Sequence, residues 1–138
     1  MDVSGHSTVA DLSLSGPGEK KVAWARSRMP ALAALREAAE RDLPLNGQRV
    51  AGCLHVTKET AVLIETISAA GAEISWSGCN PLSTQDEVAA WLASEGYGVH
   101  AWHGQSTEDF YRCIDRTLDF KPTLTLDDGA DLIYRVHS

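Results

Sequence analysis

The chain lacks any apolar run near the ~20 residues that a membrane-spanning helix needs. Its serine- and glycine-rich start, Met1 to Gly18, has no signal-peptide core. Basic residues are scarce, 12 against 19 acidic ones, for a formal net charge of -7. Such a surface repels phosphate backbones, so neither nucleic acid nor an anionic membrane is an expected partner. Cysteine is sparse as well. Cys53, Cys79 and Cys113 are odd in number and sit in apolar segments, so they are expected as free thiols in a reducing, cytoplasmic compartment. Cys53 and His55 would share one strand face and, with Cys79, offer a zinc alternative. No C-x-x-C pair supports it, and no metal site is expected. A dinucleotide-binding loop is missing too. Gly16-Pro17-Gly18 follows no strand, lacks a third glycine and leads into Glu19.

What is present is an ordinary globular composition, 43% hydrophobic and 22% charged, in 138 residues, enough for one domain with a modest core. Residues 1–17 read as a flexible arm. Glu19–Ser27 reads as a short helix, and Pro30 opens a second whose Leu32, Leu35 and Ala39 share one side. An alternation follows. Strands are expected at Arg49–His55, Glu73–Cys79, Gly98–Trp102 and Thr123–Leu126. Helices are expected at Thr57–Ala70, Ser83–Ser94, Ser106–Leu118 and from Asp131 onward. That order predicts an α/β fold with βαβ crossovers and a mostly parallel sheet, preceded by N-terminal helices. Thr57 is a candidate helix cap, and Ser83 with Asp86 and Ser106 with Asp109 resemble capping boxes. Phe110, Cys113, Ile114 and Thr117 form an inward stripe. The four tryptophans, Trp24, Trp76, Trp91 and Trp102, are expected in the core or at subunit contacts.

Parallel strands gather their carboxyl ends on one edge. That edge would hold His55, Thr57 and Glu59, then Asn80, Ser83, Thr84 and Gln85, then His103, then Asp127, Asp128 and Asp131. Helix N-termini add free N–H donors there. The set suits a polar small molecule carrying hydroxyl, amino and carboxylate groups. Each residue also has a plainer reading, the hydroxyls as caps, His55 as a core imidazole, the aspartates as turn acceptors. A phosphoacceptor pocket from Asp127 and Asp128 is disfavoured because no matching lysine follows a later strand.

The run Gly52-Cys53-Leu54-His55-Val56-Thr57-Lys58-Glu59-Thr60-Ala61-Val62-Leu63-Ile64-Glu65-Thr66 resembles the signature of adenosylhomocysteinase. Cys79-Asn80-Pro81-Leu82-Ser83-Thr84-Gln85-Asp86, Ala101-Trp102-His103-Gly104 and Leu126-Asp127-Asp128-Gly129-Ala130-Asp131-Leu132 agree in order, and Met29-Pro30 fits. The Asn80–Asp86 and Asp127–Asp131 forms resemble archaeal and thermophilic-bacterial members more than animal ones. The resemblance implies that residues 18–138 are the N-terminal portion of a Rossmann-like substrate-binding domain, incomplete here, with the NAD-binding domain absent. It implies hydrolysis of S-adenosylhomocysteine to adenosine and homocysteine in the full-length protein, a homotetramer, through 3′-oxidation by NAD, elimination and water addition. NAD would be held mainly by the absent domain, and this chain alone would be inactive. By the same resemblance His55 and Asp131 match catalytic positions near C5′, and His55, Thr57, Glu59, Thr60, Gln85 and Asp131 match substrate contacts. Lys58 and Ala130 depart from the family pattern, Ala130 standing where a glycine is usual. The alternatives are a sister hydrolase acting on S-inosylhomocysteine and a non-catalytic nucleoside-binding or interaction module.

Overall fold

Apolar residues alternate along the central strands, and the alternation sorts the core into two layers. The computed structural model describes residues 1–4 and 6–138. In β3, Arg49–Cys53 (numbering the strands in chain order), Val50 faces one layer while Ala51 and Cys53 face the other. β4, Glu73–Ser77, adds Ile74 and Trp76 to the Val50 side. This is the pattern of parallel strands buried on both faces.

Helices α1 (Ser15–Ser27), α2 (Pro30–Asp42), α3 (Lys58–Ala69) and α4 (Asp86–Ser94) cover the Val50 side, contributing Val22, Ile64 and Leu92 among others. Helices α5 (Thr107–Asp119) and α6 (Asp131–His137) close the opposite side with Phe110, Ile114 and Leu132. The expected stripe on α5 is buried throughout, Cys113 and Thr117 included. Among the described residues no helix is long and apolar enough to cross a membrane.

The remaining strands are β1 (Asp2–Ser4), β2 (Ser7–Val9), β5 (Gly98–His100) and β6 (Leu124–Asp127). Their order across the sheet is β1-β2-β5-β4-β3-β6, and only the β1–β2 pair is antiparallel. The chain steps from β3 outward to β4 and β5, then returns to lay β6 on the other flank of β3. That reversal opens a crevice at the carboxyl ends of β3 and β6, the usual ligand position of such sheets.

Two expectations need correcting. The described residues among 1–17 are not a loose arm. They supply β1 and β2, and α1 already begins at Ser15. Polar composition hid this, because the hydroxyls satisfy sheet backbone. Ser7 donates to the Tyr97 carbonyl at 2.6 Å and accepts from the Val99 N–H at 3.0 Å. The second correction concerns α2, where Leu32 packs on the core but Leu35 is 59% exposed. Good helix formers fix a helix, whereas the neighbours decide which side is covered.

His100, at the end of β5, is buried beside Arg116 and the Thr8 hydroxyl, 3.2 Å from its Nδ1. Burial first, then the Arg116 charge, pushes its pKa down to about 4. The unfolded chain therefore takes up this proton at higher pH than the folded one. Stability present above the unfolded value near 6.5 is lost as pH falls toward 4. A loss of about 2 kcal/mol between pH 7 and pH 5 is expected from this group. Urea titrations at both pH values should show it, and the drop should shrink in His100→Gln.

Candidate active site at the strand carboxyl ends

The strands end two residues earlier than the apolar pattern suggested, at Cys53, Ser77 and His100. The polar residues that follow leave the ladder and form the rim. His55 stands half-exposed in the turn between β3 and α3. Its Nδ1 lies 2.6 Å from the Ser83 hydroxyl. Ser83 in turn donates to the Asn80 carbonyl at 3.3 Å. That short hydrogen bond anchors the ring at Nδ1 and leaves Nε2 turned to the rim. Nε2 faces the Asp128 carboxylate at 4.0 Å.

Ser83 is therefore no helix cap. Helix α4 starts at Asp86, and the Asp86 carboxylate accepts instead from the His103 backbone N–H at 2.9 Å. The loop after β5 comes close enough to claim that carboxylate, which no local motif encodes. Ser106 behaves as expected: its hydroxyl accepts from the Asp109 N–H, and the Asp109 carboxylate accepts from the hydroxyl, both at 3.0 Å.

Asp131 opens α6 on the same rim, and Tyr111 donates to it at 3.0 Å. That bond, with the Asp131 charge, raises the Tyr111 pKa. Before it, Gly129 and Ala130 both adopt left-handed backbone, φ 89° and 69°. For the alanine this costs about 1 kcal/mol, which a glycine would not incur. Asp127 Oδ2 accepts from the Ile133 N–H at 2.9 Å, while Oδ1 is buried without a partner.

Thr57, Thr60 and Gln85 build the start of α3. The Thr57 hydroxyl accepts from the Thr60 N–H at 3.4 Å, and the Gln85 side-chain carbonyl accepts from the Lys58 N–H at 3.0 Å. Glu59, in the first turn, lies 3.1 Å from the Lys58 ammonium. Burial works to raise its pKa, but the N–H at the helix start and Lys58 outweigh it, so the carboxyl ionises more readily than usual. Glu59 is an acceptor at neutral pH.

Thus the structure gathers His55, Ser83 and Asp128 directly, and sets Asp131 on the same edge through Tyr111. Both Asp127 and Asp131 are near enough to act on the buried Cys53 thiol, whose pKa burial, first of all, pushes up to about 12. Cys53 itself turns inward and donates to the Gly78 carbonyl at 3.4 Å. It is not a rim residue. Tyr111 was not singled out from the sequence, because nothing local links a helix tyrosine to an aspartate on another element.

A model of the S-adenosyl-L-homocysteine hydrolase family matches residues 6–138. The chain belongs to that family. The S-inosyl-L-homocysteine hydrolase of Methanopyrus kandleri is 49% identical over 97% of this chain and 32% of its own length. The adenosylhomocysteinase of Pyrobaculum aerophilum is 50% identical over 95% of this chain and 30% of its own length. That of Sulfolobus acidocaldarius is 50% identical over 94% and 31%. The chain thus spans about a third of the length of the curated relatives it matches. Gly16-Pro17-Gly18, weighed from the sequence as a dinucleotide loop, can be tested for fit to that group. These residues lie inside α1, with Gly18 packed against the Glu87 carbonyl. They do not fit a pyrophosphate, which needs a glycine loop between strand and helix.

Proposed function

We propose that these residues are the opening part of the substrate-binding domain of a hydrolase that cleaves S-adenosyl-L-homocysteine to adenosine and homocysteine. NAD, implied by the family resemblance, would be held by the region of the relatives that this chain does not cover, as would most contacts of a tetramer. The observation that carries the reading is the imidazole of His55 at the sheet's carboxyl edge, held at Nδ1 by Ser83 with Nε2 turned toward the Asp128 carboxylate 4.0 Å away. Departure of the homocysteine sulfur requires a proton, and the water that replaces it must lose one. A single imidazole can give the first and take the second, and end in its starting state. Asp131, which accepts from Tyr111, would be the second group to share that proton. Thr57, Glu59, Thr60 and Gln85, clustered at the start of α3, would hold the nucleoside.

A second reading is favoured by one finding: the Methanopyrus relative, named for the inosyl substrate, is as similar as the adenosyl-named ones. Glu59 separates the two. An ionised carboxylate accepts from the exocyclic amine of adenine, which hypoxanthine lacks, and Glu59, exposed in the free chain, would discriminate once a bound base covers it. The test is kcat/KM of the full-length enzyme on both thioethers. At least about a hundredfold preference for the adenosyl compound is expected. A preference for the inosyl compound would overturn the assignment.

A further inference from the structure

The rim holds a second constellation, which shares only His55 with the proposed acid–base chemistry. One donor atom each of His55, Cys79 and Asp128 lies within 4.8 Å of the other two. They come from three separate turns, after β3, β4 and β6. We propose that this trio binds a thiophilic divalent cation, with zinc the best fit.

The distances suit it. Ligands at ~2.0–2.3 Å from a tetrahedral zinc sit about 3.3–3.8 Å from one another. Small side-chain rotations would close the trio onto an ion. The anchoring of Nδ1 by Ser83 leaves Nε2 as the ligand atom, the arrangement that orients metal-binding histidines generally. His55 and Asp128 are exposed, which leaves a fourth position to water. A thiolate with an imidazole selects zinc over magnesium or calcium, which prefer all-oxygen sites. The sequence-level alternative named Cys53 as a ligand; the inward turn of Cys53 removes it, and Asp128, distant along the chain, takes its place. A bound ion would occupy the Nε2 lone pair, so metal occupancy and proton transfer at His55 exclude each other. Binding needs neither substrate nor turnover, so this proposal stands or falls apart from the hydrolase reading.

The test is titration of the reduced 138-residue chain with zinc against a chromophoric chelator, and with cobalt to read the thiolate charge-transfer band. One equivalent should bind. Cys79→Ser should abolish the band and weaken zinc binding at least about tenfold. Asp128→Ala, at an exposed position, should weaken it at least about tenfold as well, and Cys113→Ser should change neither. Absence of one-equivalent binding would overturn the proposal. So would parent-like affinity in either the Cys79 or the Asp128 variant.

Discussion

Replacing His55 with alanine is expected to lower kcat of the full-length enzyme by about 10²–10⁴-fold, with KM little changed. The side chain makes one strong protein contact, to Ser83, and is otherwise open to the crevice. Its backbone carbonyl accepts the Thr57 N–H at 3.0 Å, a bond that alanine keeps. The turn and the cap of α3 should therefore survive, and a thermal melt should match the parent. Ser83→Ala removes only the anchor. A smaller loss, about tenfold, is expected, because the ring can then rotate and exchange tautomers. The two variants should also differ in their pH–rate profiles. His55→Ala should lose the limb that the imidazole sets, and Ser83→Ala should shift it. Turnover within about threefold of the parent in His55→Ala would remove the imidazole from the chemistry. In that event the proposed proton transfer would pass to Asp131, which Tyr111 holds on the same edge.

How far the sequence carried the reading depends on the range of each interaction. The parallel sheet followed from strand–helix alternation, and Ser106 with Asp109 formed the box their spacing announced, because both signals are local. The pairings that make the crevice are not. Ser83 and Asp86 have the same spacing as Ser106 and Asp109, yet tertiary partners, His55 and the His103 N–H, outcompeted the cap. Strand tips read as apolar continuations, His55 and Trp102 among them, had left the ladder. The N-terminal strands were invisible for a related reason. Ser7 and Thr8 look solvent-loving until the β5 backbone and Arg116 supply partners, the guanidinium donating to Thr8 at 2.7 Å. Position on the rim was thus legible from topology, while the contacts that orient each group were not.

Gly18→Ala should destabilise the chain by about 2–3 kcal/mol, against the trend of helix propensity. Gly18 sits buried in α1, and a Cβ there would overlap the Glu87 carbonyl and crowd the Trp91 Cβ. The obstacle is mostly backbone, so no side-chain rotation relieves it. Either α1 or α4 must move. The approach is also pinned by the Lys21–Glu87 ion pair, 2.9 Å across the same contact. Gly16, two residues earlier in the same helix, supplies the control. No part of another element lies within 4 Å of its would-be Cβ, and Pro17 offsets the propensity gain by disfavouring a Cβ in helical backbone just before it, so Gly16→Ala should change stability by less than about 1 kcal/mol. Urea titration of both variants reads the contrast as a large midpoint drop for Gly18→Ala against a small shift for Gly16→Ala, with the denaturant slope unchanged. The effect should reach the rim as well. Helix α4 begins just after Gln85, whose side chain receives the Lys58 N–H at the start of α3. Moving α4 outward withdraws that acceptor and loosens the turn that carries Thr57 and Glu59. Amide exchange at Lys58 should therefore quicken in Gly18→Ala and stay as it is in Gly16→Ala. Equal stabilities for the two variants would mean that α1 and α4 are not held in backbone contact at Gly18.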